Sequence, residues 1–125
     1  MEINTKINKK KNIRNHRVTG LFNVSLFMDN LKDFYNSAVY DVNMNALWDM
    51  RDTDFSSVTT EEIHSFVEMI KKYWGKEEKS KSALIVTKDF DYGIGRMSEI
   101  LITISSPRNM KVFKNLNEAE KWLEE

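Results

Sequence analysis

The segment Ser82-Ala83-Leu84-Ile85-Val86-Thr87 is the strongest constraint on how this 125-residue chain can fold. A short, nearly continuous apolar run suits a strand covered on both faces, as in a parallel sheet with helices packed on it. The neighbouring segments supply such helices. Upstream, Thr59 and Glu62 stand three apart and predict a capping box, each side chain reaching the other's backbone N–H. Ile63, Phe66, Val67 and Ile70 follow at helical spacing, with Trp74 one turn further and Gly75 as the stop. Downstream of the run, Ile94, Met97, Leu101 and Ile104 fall on one side of a helix that Ser105-Ser106-Pro107 would end.

The remaining segments extend the alternation. Ile3, Thr5 and Ile7 alternate with polar residues, as in a half-buried strand, and Asn8 to Asn12 reads as a polar turn. Ile13 to Thr19 returns as a second strand; with Arg14, His16 and Arg17 inside it, an edge position is expected, where charge discourages unwanted pairing. Asn23 is the expected N-cap of a helix carrying Val24, Phe27, Leu31 and Phe34. Ala46-Leu47-Trp48 enters the core as a third strand and Met110 to Phe113 forms the last one. Asn117 and Glu120 are expected to box a terminal helix with Ala119, Trp122 and Leu123. The order is ββαβαβαβα. It predicts one α/β domain over residues 1–125, with a mixed, mainly parallel sheet, an N-terminal antiparallel hairpin and about four helices.

Composition excludes several function classes. Nineteen basic residues balance nineteen acidic ones, unlike the strongly basic chains that bind nucleic acid, and no nucleic-acid partner is expected. The balance is uneven along the chain: residues 1–20 hold six basic side chains against Glu2, whereas residues 21–57 hold six acidic against two basic. Without cysteine there is no disulfide framework, thiol nucleophile or thiolate metal site. The opening Met1-Glu2-Ile3-Asn4 lacks the apolar core of a signal peptide, and no stretch approaches a membrane span, so a cytoplasmic location is expected.

The order of elements, with Asn45-Ala46-Leu47-Trp48-Asp49-Met50-Arg51-Asp52, resembles the SpoIIAA-like STAS domains (sulphate transporter and anti-sigma factor antagonist). The resemblance starts at Val18-Thr19-Gly20 and includes Tyr92-Gly93-Ile94-Gly95-Arg96-Met97, Lys111-Val112-Phe113 and Asn117 to Leu123. It implies a small helix-flanked sheet, usually without enzymatic activity, that docks a partner or binds a small or lipid-like ligand. It also makes Thr59 a possible phosphoacceptor. The anti-sigma antagonists carry Asp-Ser-Ser-Gly where this chain has Ser57-Val58-Thr59-Thr60. Ser57 replaces the Asp and Thr60 the Gly, so two identifying residues of a partner-switching cycle are missing.

In an open parallel sheet, ligands sit beyond the carboxyl ends of the strands. That edge would gather Asp49, Arg51, Asp52 and Asp54 from one strand, and Lys88, Asp89, Tyr92 and Arg96 from the segment after the next. Trp48, Phe55, Phe90, Tyr92 and Met97 would form the apolar wall, while Arg51, Lys88 and Arg96 would donate to an anionic head or acidic partner. This is the expected site of a non-enzymatic binding or regulatory module, which could also form a homodimer. No cofactor is implied.

Other readings rest on less. Asp49 and Asp52 could divide acid and base roles in an enzyme. Lys9 to Lys11 with Arg14, His16 and Arg17 could contact an anionic membrane or nucleic acid. Gly93-Ile94-Gly95 lacks the third glycine of a dinucleotide fingerprint. Asp41 to Asn45 opens like a calcium loop, but Ala46 stands where that loop needs glycine. No His pair has metal-ligand spacing, and no metal site is expected.

Overall fold

The structure is a computed structural model and describes residues 1–74, 80–105 and 109–125. Five strands, β1 (Glu2–Asn8), β2 (Ile13–Leu21), β3 (Asn45–Asp54), β4 (Lys81–Ile85) and β5 (Asn109–Phe113), form one sheet in the order of the sequence. β1 runs antiparallel to β2, and every later pairing is parallel. Helices α1 (Val24–Tyr35), α2 (Thr60–Trp74) and α3 (Asp89–Ser105) connect the parallel strands, and α4 (Leu116–Glu124) follows β5.

Sequential strand order decides where the helices go. Right-handed crossovers between neighbouring strands carry every connecting helix to the same face of the sheet. The core divides accordingly. Val18, Ala46, Trp48 and Met50 pack with Phe27 and Leu31 of α1 and with Ile63, Val67 and Ile70 of α2 on the three-helix face. Leu47, Ala83, Ile85 and Phe113 meet Ala119 and Leu123 of α4 on the other. β4 therefore buries both of its faces, as its apolar run requires.

The helix starts follow side-chain chemistry. Asn23 Oδ1 accepts from Leu26 N at 3.0 Å. At α2, Glu62 N donates to Thr59 Oγ1 at 3.1 Å and Thr59 N donates to Glu62 Oε1 at 3.0 Å, a reciprocal box. α4 begins two residues earlier than its sequence suggests: Asn115, not Asn117, is the cap, accepting from Glu118 N at 3.1 Å. At the other end of α4, Lys81 Nζ donates to the carbonyls of Trp122 and Glu125, each at 2.9 Å, which satisfies groups the helix cannot. The expected stops at Gly75 and Ser106-Pro107 lie outside the described residues.

β2 is not an edge strand. It lies between β1 and β3, and two of its polar side chains are core residues: Arg14 is 1% exposed and His16 2%. The guanidinium of Arg14 sits over the ring of Phe34 at 4.8 Å, with Tyr35 and Tyr40 at 5.5 and 5.8 Å. Aromatic faces take the place of a carboxylate partner. His16 is stacked on Trp48 and shares a 2.8 Å hydrogen bond between its Nδ1 and Thr5 Oγ1.

Candidate functional site

The expected site residues occupy two different places, because successive residues of a strand point to opposite faces. Trp48 is buried on the three-helix face, while Asp49 is on the α4 face. A register shift follows. Arg17 is opposite Asp49 but Thr19 is opposite Asp52, so Met50 and Arg51 together oppose Val18 in a β-bulge. The bulge brings Asp49 and Asp52, three residues apart, to the same side chain: Arg17 Nη1 lies 3.3 Å from Asp49 Oδ2, and Nη2 bonds Asp52 Oδ2. Arg51 closes the cluster with Nε 2.9 Å from Asp49 Oδ1 and Nη2 2.8 Å from Oδ2.

These contacts change what the cluster can do. The hydrogen bond from Arg51, helped by both guanidinium charges, holds the Asp49 carboxyl below the usual carboxylate range, although its partial burial opposes this. A general acid needs the opposite. Arg51 is likewise engaged, and Arg96 pairs with Glu99. Two of the three donors assigned to an anionic head are therefore already satisfied.

Around the cluster, Asn4, Lys6, Asn15, Leu116 and Glu120 line an open depression of about 400 Å³ on the part of the α4 face that no helix covers. Lys88 and Phe90 are exposed, the latter at 61%. Tyr92 and Met97 are half-buried and packed against the three-helix core. The ammonium of Lys114 lies 5.3 Å from the Tyr92 ring centre and pairs with Asp89. The nine expected residues thus form no single pocket.

The three-helix face has a cavity of about 60 Å³ that runs from Ser82 and Met110, near the starts of β4 and β5, to Phe22, Phe55 and Val86 beyond the carboxyl ends of β2, β3 and β4. Its wall includes Phe22, Phe27, Trp48, Phe55 and Phe66, with Gly95 and Asp91 contributed by α3. Asp91, in the first turn of α3, is 5% exposed. Its carboxyl has no hydrogen bond or ion pair among the described residues, and burial raises its pKa. Trp48 and Phe55 belong to the apolar wall expected from the sequence, and Ile94 and Gly95 to the Gly93-Ile94-Gly95 motif, whereas Asp91 belongs to no expected site. The signal was there, since Asp91, Ile94, Gly95 and Ser98 recur at i, i+3, i+4 and i+7 and all four line the cavity.

Several motifs resolve into structural roles. Gly93 and Gly95 lie inside α3 rather than in a loop before it, so no phosphate cradle forms. A Cβ on Gly95 would stand 2.6 Å from Val112 Cγ2, whereas one on Gly93 would meet open space. Asn45 begins β3 and Asp52 binds Arg17, so the calcium-like pattern does not wrap an ion. No group of three or more His, Asp or Glu side chains among the described residues could hold a metal. The basic N-terminal patch shrinks to its lysines, because Arg14 and His16 are buried and Arg17 is paired. The Thr59 hydroxyl is exposed but held by Glu62, and a phosphate there would face that carboxylate.

No protein-family model matches the sequence, and no curated protein matches it. Among solved structures, the fold is that of the SpoIIAA-like class of mixed α/β domains. One similar structure is that of an uncharacterised protein of the DUF3478 family, with a SpoIIAA-like fold, from Shewanella loihica PV-4. It superposes with a TM-score of 0.62 at 17% identity, covering 98% of this chain and 92% of that one. No described helix is long and apolar enough to cross a membrane.

Proposed function

We propose that this chain is a non-enzymatic binding module whose ligand is a small, largely apolar molecule held in the cavity of the three-helix face. The cavity itself carries the reading. It reaches Phe22, Phe55 and Val86 beyond the carboxyl ends of β2, β3 and β4, the edge where open α/β sheets take their ligands, and its wall is mostly aromatic and aliphatic. The cluster of Arg17, Asp49, Arg51 and Asp52 supports a structural role, since its charges neutralise one another.

Xenon provides the test, because it is apolar, uncharged and small enough for a cavity of about 60 Å³. Titrated into isotope-labelled protein, it is expected to shift the methyl resonances of Val24, Leu31, Ile63 and Val86, which line the cavity. Shifts confined to the opposite face, around Leu47 and Leu116, would overturn the assignment.

A further inference from the structure

Resting on that reading, we infer that the cavity selects a small apolar amine, with its ammonium held at Asp91 and its hydrocarbon body against Phe22, Phe55 and Phe66. The charges of the wall point this way. Two acids, Glu62 and Asp91, line the cavity, and no lysine, arginine or histidine does. Glu62 is committed to Thr59 through both its backbone and its side-chain oxygen. Asp91 is not committed to any described residue, although it is 95% removed from solvent by its 5% exposure.

A carboxyl on a side chain covered this far, with no partner, is disfavoured in its charged form unless something compensates it. Its position in the first turn of a helix contributes part of that compensation, since the free N–H groups there favour negative charge. Lys88, one turn earlier and exposed, also attracts it, while Asp54 repels it. A cationic guest supplies the rest at contact distance. Aromatic rings favour the same guest, because an ammonium group is drawn to their faces. An anionic guest would meet two acids and no donor side chain with a positive charge.

NMR titration with three probes of one size, each small enough for a cavity of about 60 Å³, tests the inference: ethylamine, ethanol and acetate. Ethylamine is expected to bind at least about tenfold more tightly than ethanol, the value of one charge-assisted hydrogen bond. Acetate is expected to bind least. Asp91→Asn is expected to erase the preference for the amine, and xenon-induced shifts at the same cavity methyls show that the variant retains its fold and cavity. Equal affinity for amine and alcohol, or a preference for acetate, would overturn the inference and leave the cavity reading standing. Retention of the amine preference by the Asn variant would overturn the role of Asp91. Binding of none of the probes would overturn both readings.

Discussion

The imidazole of His16 lies flat against the indole of Trp48, with ring centroids 3.8 Å apart and planes within 14°. The edge of Phe34 meets the same imidazole at 5.6 Å, and Nε2 has no hydrogen-bond partner among the described residues. This is a histidine built to be neutral. Burial, and secondarily the charge of Arg14, lower its pKa to about 3.

The sign of the resulting pH dependence follows. An unfolded chain protonates His16 near pH 6.5, whereas the folded chain does not until about pH 3. The contribution is fully present above 6.5 and is lost as pH falls through that window, at a rate approaching about 1.4 kcal/mol per pH unit. Urea unfolding between pH 5 and 7 measures the slope. His16→Phe, which keeps a ring on Trp48, is expected to flatten it, and an unchanged slope in that variant would refute the assignment.

Arg14 is the companion case. Its Nε and Nη1 have no hydrogen-bond partner among the described residues, so removing the charge also removes a desolvation cost. Arg14→Met retains most of the stem that packs on Phe34 and is expected to leave stability unchanged or raise it. NMR titration of His16 in that variant should show a higher pKa that is still below 6.5, because burial is the larger cause. A loss of several kcal/mol would mean that the aromatic contacts require the cation.

The two glycines of α3 separate helix propensity from packing. Gly95→Ala places a methyl against Val112 and is expected to destabilise by about 1–3 kcal/mol through overpacking. Gly93→Ala enters open space on a helix and is expected to stabilise by about 0.5–1 kcal/mol. Chemical denaturation of the two variants checks the pair, and the same sign for both would contradict this account.

Thr59 and Glu62 act as one unit at the start of α2. Thr59→Ala is expected to cost about 1 kcal/mol. Glu62→Ala added to it should cost less than Glu62→Ala alone, because the shared bond is already gone. A double-mutant cycle measures this coupling, and strict additivity would show that the box is not cooperative.

The order of elements was legible because helices and strands write different periods into the chain. The Asn23 cap and the Thr59–Glu62 box were equally plain, since their partners stand three residues apart. The interior position of β2 was not legible. Arg14 and His16 look like surface residues, and the rings that shelter Arg14, from Phe34 to Tyr40, lie at least 20 residues away in sequence. The separation of Trp48 from Asp49 follows from the two-residue period of a strand. The bulge that joins Asp49 to Asp52 does not, because an extra residue in one strand is defined only against its neighbour. Asp91 went unseen for a related reason: a lone acid at a helix start reads as a favourable surface charge until the helix is turned toward the sheet.

The unbroken numerical order of the strands also bears on time. Each strand pairs with the one before it in sequence, so every new pairing closes only the loop formed by a single connecting segment. Loop-closure entropy grows with loop length, and sheets that must join distant strands wait longer for their pairings to be rewarded. Here nothing in the sheet has to wait for the far end of the chain. The hairpin of β1 and β2 can stand as a template while the remaining strands are laid down in turn, each with its own helix, from the first residue toward the last.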